Sequence, residues 1–163
     1  MDNKTIIRKM LKLNLLRRYH NRKISEETGI YFGQPPILEL LDECGSMTQK
    51  EIAEKLHVSA PSIATSVKRM SKTELLEKQS TSSDMRCTTI SLTEKGRKAH
   101  ERCKKKFDEF DALTLKGLSV SQREELSLLL DIMMENLSTE DIDGKSVFEI
   151  IDEMKVDKKE CSD

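Results

Sequence analysis

Between positions 59 and 72 the chain carries Ser59, Pro61, Ser62, Thr65, Ser66, Lys68, Arg69 and Lys72. None of these is an activated nucleophile or half of an acid–base pair. Together they suit recognition of a polyanion. Small hydroxyl side chains approach base edges and thymine methyls, and Arg69 reaches a guanine edge or a phosphate. Lys68 and Lys72 suit backbone phosphates, which position a protein without specifying sequence. Thr48 and Gln49 stand just upstream at a second helix start, where free amides favour phosphate, as they do at Ser59. Further on come Asp84 and Arg86. An arginine at a hairpin tip can enter a narrow minor groove, where the negative potential is enhanced.

The elements that hold these residues follow from spacing. Thr48 with Glu51 forms a capping box, and the helix after it puts Ile52, Ala53 and Leu56 on one face. His57-Val58 makes a tight connection. Ser59 is a second N-cap, and Ile63, Val67 and Met70 point inward from the next helix, which ends near Lys72. Two short capped helices around a turn of about three residues are a helix-turn-helix. Ala53 fits it, because a larger side chain would push the two helices apart. Leu75–Gln79 and Arg86–Leu92 then predict a β-hairpin with a polar tip, with Thr88, Ile90 and Leu92 on one side. A hairpin in that position is a wing.

Amphipathic helices flank this unit. Residues 5–25 repeat apolar positions at three and four, and Gln34-Pro35-Pro36 starts a helix that Gly45 ends. Thr93 caps a helix expected to reach about Leu118, with a stripe of Ala99, Cys103, Phe107, Phe110 and Leu113 or Leu115. Ser121 and Glu124 predict another capping box, ahead of Leu126, Leu129, Leu130, Met133, Met134 and Leu137. A further short helix is expected after Gly144.

Of 163 residues, 28 are Lys or Arg and 29 are Asp or Glu, for a formal net charge of -1. The balance hides an asymmetry. Residues 48–98 carry 10 basic and 6 acidic residues, whereas residues 135–163 carry 4 and 10. One surface is therefore suited to a polyanion and another is kept off it. No run approaches the ~18 uninterrupted apolar residues of a membrane span, and the basic N-terminus lacks a signal peptide's apolar core. The expectation is a cytoplasmic protein with no membrane partner. Its four cysteines (44, 87, 103 and 161) form no Cys-x-x-Cys pair and are read as free thiols. A nucleophile elbow, a Gly-rich phosphate loop and clustered carboxylates are all missing, which argues against an enzyme. No cofactor is called for.

The run TQKEIAEKLHVSAPSIATSVKRM, then LLEK, then SSDMRCTTISLTEKG, resembles the MarR family of transcription regulators. Its most specific part is Asp84-x-Arg86 followed by Leu92-Thr93-x-x-Gly96. The resemblance covers about residues 5–138. It implies a mainly α fold: a winged helix-turn-helix with long N- and C-terminal dimerisation helices and a two-stranded β-wing. It also implies a homodimer with one recognition helix per subunit in successive major grooves of double-stranded DNA and each wing in a flanking minor groove. By the same resemblance Asp84 pairs with Arg86 and aims it. Two residues depart from the family pattern: Glu74 stands where a Gly usually precedes the wing strand, and Thr65 stands where an Arg is common.

The chain accordingly divides into an N-terminal dimerisation helix (1–33), a DNA-binding domain (34–98), C-terminal dimerisation helices (99–138) and an acidic extension (139–163). Ile6, Ile7, Met10, Leu11, Leu126, Leu130, Met133 and Leu137 are the expected dimer contacts. The family places effectors between the dimerisation helices and the winged domain. There Tyr19, His20, Tyr31, Phe32, Leu40 and Phe107 would suit a small aromatic or anionic effector. Three alternatives keep the fold. His100 and Cys103, at i and i+3, could hold a metal if His20 or Cys44 joined them. Cys44 or Cys103 could sense oxidants. A winged-helix protein-interaction module would instead need an apolar recognition face. The overall expectation is a dimeric repressor of a pseudo-palindromic operator, released by a small molecule.

Overall fold

The computed structural model describes residues 2–80, 88–147 and 149–151. In chain order the elements are α1 (Asn3–Thr28), α2 (Pro35–Cys44), β1 (Met47–Thr48), α3 (Gln49–Leu56), α4 (Ala60–Lys72), β2 (Leu76–Ser80), β3 (Thr88–Leu92), α5 (Glu94–Thr114) and α6 (Val120–Leu137). The helix-turn-helix stands where the spacing put it; β2 begins one residue later than expected, and the expected second strand is described from Thr88 on, Arg86 and Cys87 lying outside the described residues.

Helix α1 outruns the expected span at both ends. Asp2 caps its start, and Gly29 ends it at φ 72, a left-handed conformation that costs glycine nothing. The two prolines open α2, which needs no amide hydrogen at those positions. Its Ile37, Leu38 and Leu41 are fully buried, and α2 packs against α3, α5 and β3. Ile52, Ile63, Val67, Met70, Ile90, Leu92, Ala99 and Cys103 complete the core around it. Each large side chain buried there contributes about 1.5–3 kcal/mol.

The wing strands β2 and β3 pair as expected, and β1 adds a third strand to the sheet, in the order β1-β3-β2. Met47 pairs with Ile90 and Thr48 with Thr89, while β2 runs antiparallel to β3 from Leu76↔Leu92 to Ser80↔Thr88. A two-residue strand is too short to show alternation, so only its pairing partner reveals it. Ile90 and Leu92 face the core as expected, but Thr88 is exposed toward the hairpin end.

Helix α5 stops at Thr114 rather than near Leu118. The chain turns there through Gly117, at φ 89. The next capping box is Ser119 with Gln122, not Ser121 with Glu124. Gln122 N donates to Ser119 Oγ (3.2 Å) and Ser119 N to Gln122 Oε1 (2.9 Å). Both pairs have the right spacing, and the box forms at the one nearer the turn.

The Leu92-Thr93-x-x-Gly96 segment has a specific task. Leu92 is buried, and Thr93 Oγ1 accepts the Gly96 amide (2.9 Å) and donates to the Glu74 carbonyl (2.7 Å). Thr93 N donates to the Leu75 carbonyl (3.1 Å). Gly96 lies so close beneath that carbonyl that a Cβ would overlap it. Glu74, the departure from the family pattern, keeps the turn that glycine would make: it holds φ 60, a strained conformation for a residue with a Cβ. Its Oε2 meets Lys95 Nζ at 2.9 Å. Gly96→Ala is expected to cost about 1–3 kcal/mol through this overlap, measured as a lower denaturant midpoint at unchanged slope. An unaltered midpoint would refute the close-approach account.

Candidate nucleic-acid interface

The recognition unit is built from two caps and a turn. Thr48 and Glu51 form the capping box of α3: Thr48 N donates to Glu51 Oε2 (2.7 Å) and Glu51 N donates to Thr48 Oγ1 (3.2 Å). The Thr48 amide, and the Thr48 hydroxyl that donates to Glu51 Oε2 at 2.9 Å, hold the Glu51 carboxyl below the usual carboxylate range. Helix α3 ends at His57, whose φ of 50 reverses the chain, and Val58 N closes the turn on the Ala53 carbonyl (3.0 Å). Ala53 is buried at this crossing. Ser59 occupies the N-cap position of α4, and its hydroxyl donates to Ser62 Oγ (3.1 Å).

Helix α4 divides cleanly. Ile63, Val67 and Met70 are buried, while Pro61, Thr65, Lys68, Arg69 and Lys72 are exposed and Ser62 and Ser66 are half-buried. Thr65 Oγ1 donates to the Pro61 carbonyl (2.9 Å), one turn back. With its hydroxyl engaged on the helix, Thr65 offers a methyl to whatever approaches. Thr48 and Gln49, half-buried at the start of α3, lie on the same unit. Asp84 and Arg86 lie outside the described residues.

A shallow groove of about 330 Å³ runs beside the first turns of α4, lined by Pro61, Ser62, Thr65 and Ser66 on one side and Phe32, Pro36 and Leu56 on the other. Ile151, from the C-terminal region, also lines it. Spacing could not reveal that contact, because no local pattern ties residue 151 to residues 61–66.

The residues expected around an effector are distributed over separate places. Tyr19 packs edge-on against His20, and His20 stacks on Phe110 with centroids 5.2 Å apart. The Arg17 guanidinium sits 5.1 Å above the Phe110 ring and bonds Asp111 at 2.9 Å. Leu40 and Phe107 pack on the main core. Tyr31 is exposed, and Phe32, 75% exposed, belongs to the α4 groove instead. Arg17 and Phe110 therefore join Tyr19 and His20 at the α1–α5 seam. The signal for Arg17 is its i, i+3 spacing to His20 on α1, which puts the two on one face of the helix.

His100 and Cys103 are both buried on α5. Among the described residues, no three His, Cys, Asp or Glu side chains come together to hold a metal. Burial pushes the Cys103 thiol up, with a contact to Thr28 pulling the other way. Cys44 is exposed, 3.7 Å from Lys55 Nζ. No helix among the described residues is long and apolar enough to cross a membrane.

Comparison with known proteins agrees with this geometry. The MarR family model matches residues 33–88. The HTH-type transcriptional regulator FarR of Neisseria gonorrhoeae is 30% identical over 121 residues, covering 74% of this chain and 80% of that protein. The uncharacterized HTH-type transcriptional regulator YwoH of Bacillus subtilis (strain 168) is 27% identical over 127 residues, covering 76% and 92%. Among solved structures, the heme sensor protein PefR from Streptococcus agalactiae in complex with heme superposes with a TM-score of 0.69 at 21% identity, over 88% of this chain and 100% of that one. The chain belongs to the MarR family. It is a winged-helix, DNA-binding transcriptional regulator, not an enzyme.

The two described cysteines should differ in reactivity. Iodoacetamide at neutral pH, followed by peptide mass spectrometry of the native protein, is expected to label Cys44 well before Cys103. Equal labelling would contradict the burial of Cys103.

Proposed function

We infer that the protein is a homodimeric repressor that binds a pseudo-palindromic operator. Each α4 enters a major groove, the two grooves lie about one helical turn (~34 Å) apart, and each wing tip reaches the neighbouring minor groove. The observation that carries this reading is the split of α4 into a buried apolar stripe and an exposed face of hydroxyls and cations. In this arrangement Pro61, Ser62, Thr65 and Ser66 meet base edges, and Arg69 reads a guanine or holds a phosphate. Lys68 and Lys72 neutralise backbone charge, helped by Thr48, Gln49 and Ser59 at the helix starts. Arg86, aimed by Asp84, serves the minor groove. The polar face of α4 speaks against a protein-interaction module.

The dimer rests on helices that one subunit leaves uncovered. No residue of α6 is buried, and Leu126, Leu130 and Leu137 are exposed, with Met133 half-buried. Ile6, Ile7, Met10 and Leu11 of α1 are exposed as well. An apolar surface of this extent calls for a partner, and a two-fold arrangement lets the same surface serve both subunits. Where α1 meets α5, Tyr19, His20, Arg17 and Phe110 combine aromatic faces with a cation, which suits a small aromatic or anionic effector. Such a molecule relieves repression only by binding the DNA-incompetent state more tightly. Loss of duplex binding on titration with small aromatic acids tests this role.

Two measurements test the main reading. Arg69→Ala is expected to weaken binding to double-stranded DNA and to flatten the dependence of log K on log salt by about one unit. An unchanged affinity across the salt series would overturn the assignment. In solution the wild-type protein should have twice the subunit mass at micromolar concentration, and Leu130→Glu should halve it. A monomeric wild type would remove the basis for half-site binding.

A further inference from the structure

The chain past α6 returns to the helix-turn-helix. Ser138 Oγ donates to Asp143 Oδ1 (3.0 Å), and Asp143 N donates to the Thr139 carbonyl (2.9 Å). Gly144, at φ 70, then redirects the backbone. Ser146 starts a new helical turn with its own capping box: Ser146 N donates to Glu149 Oε2 (2.6 Å) and Glu149 N donates to Ser146 Oγ (3.3 Å). The Ser146 amide and hydroxyl hold the Glu149 carboxyl below its usual range, with His57 adding to the effect.

The capped turn lands on the recognition unit. Glu149 sits in the cleft between α3 and α4 with Gln49, Lys50 and Ala60, and its Oε1 lies 3.5 Å from His57 Nδ1. Ile151 lines the groove formed by Pro61, Ser62, Thr65 and Ser66. Glu149, Ile150 and Ile151 are each half-buried. An apolar residue thus covers the start of α4, and a carboxylate stands beside Lys50 and the start of α3.

We propose that the turn capped by Ser146 docks on the helix-turn-helix through Glu149 and Ile151 as an intramolecular competitor of DNA, so that the acidic C-terminal region is a brake on operator binding. The proposal rests on the reading that α3 and α4 face DNA. Ile151 and a base edge cannot share the same groove, and the Glu149 carboxylate repels an approaching phosphate. The rest of the extension carries the same sign: residues 139–163 hold 9 acidic and 4 basic side chains. A small contact is enough, because the tether from α6 is short. A segment on such a tether has an effective concentration on the order of millimolar. Operator DNA, with its many phosphate contacts, displaces it, whereas a weakly bound nonspecific duplex is excluded.

The test uses the full-length protein and mixed-sequence duplex DNA. Ile151→Ala leaves the charge unchanged and removes most of the apolar contact. It is expected to tighten duplex binding by about threefold to tenfold, as the docked population falls. In the absence of DNA it should speed amide hydrogen exchange across residues 56–62. Ser146→Ala, which removes the cap of the turn, should move both readouts in the same direction, and far-UV circular dichroism should show both variants folded. Unchanged exchange in both variants would overturn the docking. Faster exchange with unchanged or weaker DNA affinity would overturn the competition. A wild type and variants that bind no duplex at all would refute the operator reading itself, and the brake with it.

Discussion

The close approach of the Leu75 carbonyl to Gly96 fixes the relation between the winged unit and the long helices. Thr93 joins the two, accepting the Gly96 amide and donating to the Glu74 carbonyl. On one side of this junction, Leu75 N bonds the Met70 carbonyl at the end of α4 (2.9 Å). On the other side, α5 runs toward α1, tied by Arg17–Asp111 and Lys106–Glu27. A change at the junction would therefore tilt the recognition helix relative to the α1–α5 seam. That coupling is what a regulator needs if events at the seam are to reach DNA. It also explains why Glu74 adopts a left-handed conformation: the turn is set by the carbonyls on either side of it, and the residue conforms.

The core and the interface are two faces of the same helices. Ile63, Val67 and Met70 anchor α4 against α3 and β2, so the exposed face has little freedom to rotate. Preorganisation of this kind matters for base reading, where side chains must meet fixed donor and acceptor positions. The hydroxyls at Ser59 and Thr65 already bond within the chain, which lowers the entropy lost when a duplex arrives. The Lys50–Glu54 pair on this surface is solvated and adds little to stability. The fold therefore stands on apolar burial, not on surface ion pairs.

Helix α6 shows the opposite balance. It is well capped yet buries nothing within its own subunit. Its stability in isolation would be marginal, because helices in proteins draw most of their support from a packed face. In the proposed dimer, association supplies that face, and folding of the terminal helices is linked to subunit concentration.

Local chemistry in the sequence determined the helix-turn-helix, the wing strands, the cap at Thr93 and the inward stripe of α4. Each depends on neighbours no more than about four residues away, where period and capping speak directly. Whether a carbonyl would sit against Gly96 was not legible, nor was the third strand at Met47–Thr48. Both depend on residues about twenty to forty positions away. The same holds for the choice of Ser119 over Ser121 as a cap, which the turn at Gly117 made. The expected effector set was divided for this reason: Tyr19 and His20 joined Arg17 and Phe110, while Phe32 went to the α4 groove. The arrival of Glu149 and Ile151 beside α3 and α4 was decided by tertiary structure alone. A contact across nearly a hundred residues leaves no period in the chain, and only the path of the backbone determines it.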